Sequence, residues 1–119
     1  MTRVTIPIKT ESEANTRGHW AVKARRAKIQ RGYASHAILA SGWKYKGGGV
    51  VVELTRIGKR LMDDDNLAGS FKAIRDGIAD ALGLDDGDRL IAWRYHQRIG
   101  RDYAVEIGIE ARNSKVGGK

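Results

Sequence analysis

The chain has 119 residues, 41% hydrophobic and 30% charged, with no cysteine. That suits one globular domain with a core of its own; it excludes a disulfide framework and a thiolate metal centre, and no apolar run nears the ~18 residues of a membrane span. Lys and Arg outnumber Asp and Glu by 22 to 14, a net charge of +8, which points to a polyanionic partner, most often nucleic acid.

The chain opens with "TRVTIPIK", where Val4, Ile6 and Ile8 alternate with Thr5, Pro7 and Lys9. This is a strand pattern, and Pro7 suits a sheet edge. The opening lacks the apolar core of a signal peptide, so a cytoplasmic location is expected. Residues 10–18, "TESEANTRG", are polar and turn-like. Residues 19–40 contain no proline and read as a helix. Val22, Ile29, Tyr33 and Ala37 are its expected apolar stripe, and Lys23, Arg25, Arg26, Lys28 and Arg31 make it strongly basic. "SGWKYKGGG" reads as a loop and "VVVELTRI" as a second strand, rich in β-branched residues.

A helix is predicted over residues 66–82, because Leu67, Phe71, Ile74, Ile78 and Leu82 fall on one face. Gly83 is its expected stop and "DDGD" a loop. The remainder reads as a hairpin. Ile91, Trp93, Tyr95 and Ile99 share one face, Arg94, His96 and Arg98 the other, and "GRD" is the turn. Tyr103, Val105, Ile107 and Ile109 form the inward side of the returning strand. Residues 113–119 are expected to be a disordered tail. The order β-α-β-α-β-β predicts an α+β fold in a single domain over residues 1–112, a small mixed β-sheet with two helices on one face.

Charge is unevenly spread. Residues 63–88 hold eight aspartates against Lys72 and Arg75 alone, a net of −6, which leaves +14 on the rest. An acidic island grips phosphates poorly by itself, but it can do so through divalent cations, and hard carboxylate oxygens favour Mg²⁺ or Mn²⁺. Asp63 and Asp65 flank Asp64. At the end of an extended segment both would point the same way, a ready ligand pair. A plainer account makes Asp65 or Asn66 a helix cap, which explains one acid and not three. On the following helix Asp65, Gly69, Lys72 and Asp76 share a stripe opposite the apolar one, so Lys72 leans toward the acidic cluster and Asp76 is its partner at i+4. Asp85, Asp86 and Asp88 in the next loop are either an acidic turn or the source of a third ligand.

The run "DDDNLAGSFKAIRDGIADALGLDDGD" resembles the centre of the RusA family of Holliday junction resolvases. Asp63, Asp65, Asn66 and Leu67 match the family's Asp-x-Asp-Asn-Leu, Lys72 and Asp76 keep its lysine-to-aspartate spacing, and Asp85 and Asp86 match its later acidic pair. The family's lysine stands three positions after the Asn, where this chain has Gly69; Lys72 lies three further on, nearly one helical turn. The resemblance implies a homodimeric crossover junction endodeoxyribonuclease, bacterial, phage or prophage encoded, that nicks four-way DNA junctions in pairs using Mg²⁺. Catalysis would then fall to Asp63, Asp65, Lys72 and Asp86, and metal ligation to Asp63, Asp65, Asp86 and Asp85, with Asp86 favoured as the third ligand and Asn66 and Asp76 in support. Arg17, Lys23, Arg25, Arg26 and Lys28, then Arg94 and Arg98, are the candidate DNA contacts. Trp20 and Trp43 are core residues or stacking surfaces. The rival readings are a nuclease for flaps, hybrids or duplex, and a DNA-binding module without catalysis.

Overall fold

The computed structural model describes residues 1–10 and 20–112. Most of the predicted turn at 10–18, Arg17 with it, and the tail at 113–119 lie outside the described residues. The elements run β1 (Thr2–Ile6), α1 (Trp20–Ser41), β2 (Val50–Gly58), α2 (Asp64–Ser70), α3 (Lys72–Leu82), β3 (Ile91–Ile99) and β4 (Ala104–Ala111). The fold is α+β, with a mixed four-stranded sheet in the order β1-β4-β2-β3. β1 is an edge strand that ends just before Pro7, as the sequence suggested. Among the described residues, no helix is long and apolar enough to cross a membrane.

The predicted hairpin does not form. β3 pairs parallel with β2, Val50 opposite Ile91 and Gly58 opposite Ile99. β4 pairs antiparallel with both β2 and β1, so β2 lies between the two strands expected to be neighbours. "GRD" marks where the chain reverses, and a reversal does not fix which strands pair. The stronger clue is β2 itself. Val50, Val51 and Val52 are all buried, the continuous apolar run expected of a central strand. A helical segment between β2 and β3 also makes a βαβ unit, whose crossover joins parallel strands.

The helices cover one face of the sheet. Val50, Val52 and Leu54 of β2, Ile91 of β3 and Val105, Ile107 and Ile109 of β4 meet Leu67, Phe71, Ile74, Ile78 and Leu82 from the α2–α3 side and Ala34 and Ile38 from α1. The predicted apolar face of 67–82 is therefore the buried one. The helix is not continuous, however, and it starts at Asp64 rather than Asn66. It breaks at Phe71 (φ −95°, ψ 3°). The Ser70 hydroxyl bonds back to the Leu67 carbonyl at 2.7 Å, and Gly69 precedes it. A Gly–Ser pair with such back-bonding is a recognised cause of helix bending. Phe71 is fully buried and stacks on Tyr95, ring centroids 5.7 Å apart. Gly83 ends α3 at φ 74°, with the Gly83 and Leu84 amides on the Asp80 and Ala79 carbonyls at 3.1 and 2.9 Å.

α1 turns a different face inward from the one predicted. Gln30, Ala34 and Ile38 are buried, whereas Val22, Ile29 and Tyr33 are each about half exposed. Close approach selects this face. A methyl group built at Gly77 of α3 would strike the Arg31 carbonyl and stand 3.0 Å from the Ala34 methyl, so small residues form the seam. The Arg31 guanidinium then forks onto Asp80 across it, at 2.6 and 2.8 Å. This pairing raises the Arg31 pKa and lowers that of Asp80. Gly77→Ala should destabilise the chain by about 1–3 kcal/mol, because backbone cannot rotate away from the clash. The usual helix-propensity gain of up to about 1 kcal/mol does not offset that. Urea unfolding of the variant would measure the difference.

Candidate functional site

The acidic run sits where β2 hands over to α2. Asp63 is extended (φ −61°, ψ 148°) and caps the helix through its backbone, with no side-chain cap bond. Its carbonyl accepts from the Asn66 and Leu67 amides at 3.0 and 2.9 Å. Asp64 and Asp65 already belong to the first helical turn. The predicted alternation of Asp63 and Asp65 along extended backbone is thus not the geometry found. All three carboxylates are exposed, and the helix N-terminus favours negative charge there.

Two side chains unremarked in the sequence hold this turn. Gln97 of β3 donates from its amide nitrogen to the Met62 carbonyl at 2.7 Å and accepts from the Met62 amide at 2.9 Å. It thereby fixes the residue before Asp63. Arg56, opposite Gln97 in the register, is 7% exposed and donates from Nη1 to the Arg60 carbonyl at 2.7 Å. Its guanidinium lies across Gly58, where a Cβ would stand 2.8 Å from Nη1. The signal available in the sequence was position: Arg56 shares an inward register with Val50, Val52 and Leu54. Gln97→Glu should cost about 1–3 kcal/mol of stability, because a carboxylate cannot donate to the Met62 carbonyl it would face. Thermal unfolding above pH 6, where that carboxylate is ionised, is the measurement.

The second part of the site is built around Lys72, the first residue of α3. Its ammonium donates to Asp86 Oδ2 at 2.8 Å and to Asp76 Oδ1 at 3.0 Å. The expected i+4 partner is therefore in place, and of the three later acids Asp86 is the one that meets the lysine. Asp85 and Asp88 are engaged in shaping the loop, since their carboxylates accept from the Gly87 and Leu90 amides at 3.3 and 2.9 Å. The Trp93 indole donates to the Asp86 carbonyl at 2.9 Å and anchors the loop to β3. Arg75 donates to the Tyr95 hydroxyl at 3.0 Å. Asp86 is held below the usual carboxylate range, chiefly by the Lys72 hydrogen bond, with smaller help from Asp85 and Arg75. Lys72 is raised by Asp86 first and Asp76 second.

Both acidic elements are fastened to the same edge strand. Trp93 holds the Asp86 loop and Gln97 holds the Asp63 turn, anchors four residues or about 13 Å apart along β3. Lys72, from the helix that links them, reaches the Asp86 end. Among the described residues, no group of three or more His, Asp or Glu side chains is placed to hold a metal ion; the cation between Asp76 and Asp86 is the Lys72 ammonium. The available donors are nonetheless all carboxylates, the hard oxygen ligands that Mg²⁺ and Mn²⁺ take.

The basic candidates divide by face. Lys23 and Arg26 line a groove of about 300 Å³ between α1 and the α2–α3 segment, together with Gln30, Gly69, Lys72 and Asp76. A Cβ at Gly69 would meet nothing within 4 Å, so the groove is open where the resembled family has its lysine. Arg25 and Lys28 are exposed on α1. Arg94 and Arg98 project from the opposite face of the sheet, toward Glu53 and Glu106 at 3.6 and 3.8 Å. They stand apart from the acidic site.

These elements define a small α+β protein with an anionic cleft edge beside a basic groove. No family model matches the chain. It is similar to an uncharacterized protein of Xylella fastidiosa (strain Temecula1 / ATCC 700964), 38% identical over 96 residues that cover 72% of this chain and 61% of that protein. The chain thus spans less than two thirds of that relative's length.

Proposed function

We propose that the chain is a metal-dependent endodeoxyribonuclease of the RusA type, acting as a homodimer on four-way DNA junctions inside a bacterial cell. The observation that carries this reading is the Lys72–Asp86 bridge, which joins the two halves of the resembled motif across 14 residues of sequence. Asp63 and Asp65 at one anchor and Asp86 at the other are the proposed holders of Mg²⁺ or Mn²⁺; the structure does not bring the three together as one ligand group, and a bound ion would supply Lewis-acid chemistry to a phosphodiester. The chain's own part is to place charge. Lys72 keeps a fixed cation at the anionic edge, where negative charge develops on phosphate oxygens. Lys23 and Arg26 present further cations along the adjoining groove, contacts that position a strand without reading its sequence. A two-fold dimer would offer two such sites to a two-fold junction.

Labelled four-way junction, flap, RNA–DNA hybrid and linear duplex, incubated in parallel with Mg²⁺, test the reading. Paired nicks confined to the junction are expected, and EDTA should stop them. Equal cleavage of all four would make the chain a general nuclease. Binding without any cleavage would make it a DNA-binding module. Binding should weaken steeply with salt in either case, because contacted phosphates release counterions.

A further inference from the structure

At the other end of β2 from the acidic turn, the loop between α1 and β2 encloses a second candidate site. Its cavity of about 550 Å³ is lined by Trp43, Lys44, Tyr45 and Lys46, with Thr2 and Ala111 closing the far side. A smaller cleft of about 270 Å³ lies on the other flank of the same segment, where Trp43, Lys44 and Tyr45 face Ala81 and Leu82 of α3. Among the described residues, no acidic side chain lines either space. The two aromatic residues are half-buried, packed against the core and still lining the cavities, while both lysines are exposed.

This loop is shaped rather than slack. The Tyr45 hydroxyl donates to the Gly48 carbonyl at 2.6 Å, and the Trp43 amide donates to the Ser41 hydroxyl at 3.1 Å. Gly47 and Gly48 take φ of 88° and 76°, values a side-chain-bearing residue rarely adopts. The turn therefore requires these glycines, and it presents the aromatic and basic residues in one place. The length of β2 sets the cavity about 26 Å from the Asp63 turn, whereas the Asp85–Asp88 loop ends at the same end of the sheet, where the Leu90 carbonyl accepts from the Val50 amide at 2.8 Å.

We infer that this cavity is a nucleotide-binding subsite for single-stranded DNA, in which a splayed base lies against Trp43 and Tyr45 and its phosphates meet Lys44 and Lys46. Flat aromatic surface serves any base, and interleaved lysines serve the backbone that joins bases; the two together are how single strands are held without sequence preference. A duplex cannot fill the space, because its bases are stacked away from side chains. The volume also falls in the range of pockets that enclose one small ligand. The inference rests on the nucleic-acid reading above and adds a contact remote from the Asp63 turn, at the end of the sheet where the Asp86 loop enters β3. It favours substrates with an unpaired strand or an opened branch point.

The test uses the full chain labelled with 5-fluorotryptophan and titrated with oligothymidylate in EDTA, followed by ¹⁹F NMR. Single Trp→Phe variants assign the three tryptophan signals. The Trp43 signal should move on binding. The exposed pair Lys44→Glu and Lys46→Glu, which leaves the core untouched, should weaken binding by at least about tenfold. A Trp43 signal that does not move, binding unchanged in the double variant, or no binding of oligothymidylate would each overturn the inference. Junction cleavage in Mg²⁺ with an unmoved Trp43 would sink this subsite alone. A moving Trp43 without cleavage would sink only the catalytic reading.

Discussion

Asp63→Asn and Asp65→Asn should each abolish metal-dependent cleavage while leaving DNA binding and the fold in place. The fold is expected to survive because Asp63 caps α2 with its carbonyl, which asparagine keeps, and its carboxylate makes no cap bond. The structural cost is one fewer negative charge at a helix N-terminus, about 0.3–1 kcal/mol. The catalytic cost is larger. Losing only an outer-shell partner of a metal ligand typically costs 10–100-fold, so loss of a proposed ligand should cost at least about 100-fold. Single-turnover cleavage of a labelled junction, beside filter binding of the same junction in Ca²⁺, separates the two quantities. Binding should hold or tighten, since a negative charge has been removed near phosphate. Asp64→Asn supplies the contrast: Asp64 lies outside the matched pattern, and the variant should still cleave. Wild-type cleavage by Asp63→Asn would remove the acids from the mechanism.

Much of the scaffold of this site was readable from spacing alone. The face of 67–82 that enters the core, the Gly83 stop and the Lys72–Asp76 pair all follow from one helical period, a local property that tertiary contacts did not overrule. The bend at Phe71 was missed although Gly69 and Ser70 stand just before it, because the apolar period passes through the bend almost unchanged. The sheet order was missed for a different reason. Pairing is a long-range choice, and "GRD" records only a reversal; the buried "VVV" of β2 and the helical segment that follows it carried the information. α1 misled because its seam is made of Ala34 and Gly77, and small residues leave little trace in a hydrophobic pattern. Gln97 was invisible as a site residue, and Arg56 showed only as a charge in an inward register, since their role is to hold backbone at positions that only folding brings near.

Lys72→Met should separate the lysine's electrostatic role from its structural one. Methionine keeps the unbranched stem and removes the charge, leaving Asp76 and Asp86 facing each other with side chains only 23% and 19% exposed. In the native chain Lys72 lowers the Asp86 pKa. A depressed carboxylate pKa stabilises the fold above the ordinary value and loses that contribution as pH falls through the folded value, here below about pH 4. The raised Lys72 pKa works at the other end: its contribution is complete below the ordinary lysine value and is lost above about pH 10.5. The variant should therefore lose stability across the whole window between those limits. The loss should be small, about 0.2–1 kcal/mol, because the lysine side chain is 57% exposed and water screens the pair. Without its cation Asp86 should also bind a proton more readily, so the acid limb of any remaining activity should move to higher pH. If Lys72 stabilises charge on the reacting phosphate, cleavage should fall by about 100-fold or more, equivalent to about 2.7 kcal/mol or more. That exceeds the stability loss, so urea unfolding and single-turnover cleavage will tell the roles apart. Lys72→Arg keeps the charge but replaces a compact ammonium with a planar fork, and it should recover stability more fully than rate. A Lys72→Met chain that cleaves as fast as the native one per folded molecule would leave the lysine as a clamp for the Asp86 loop and nothing more.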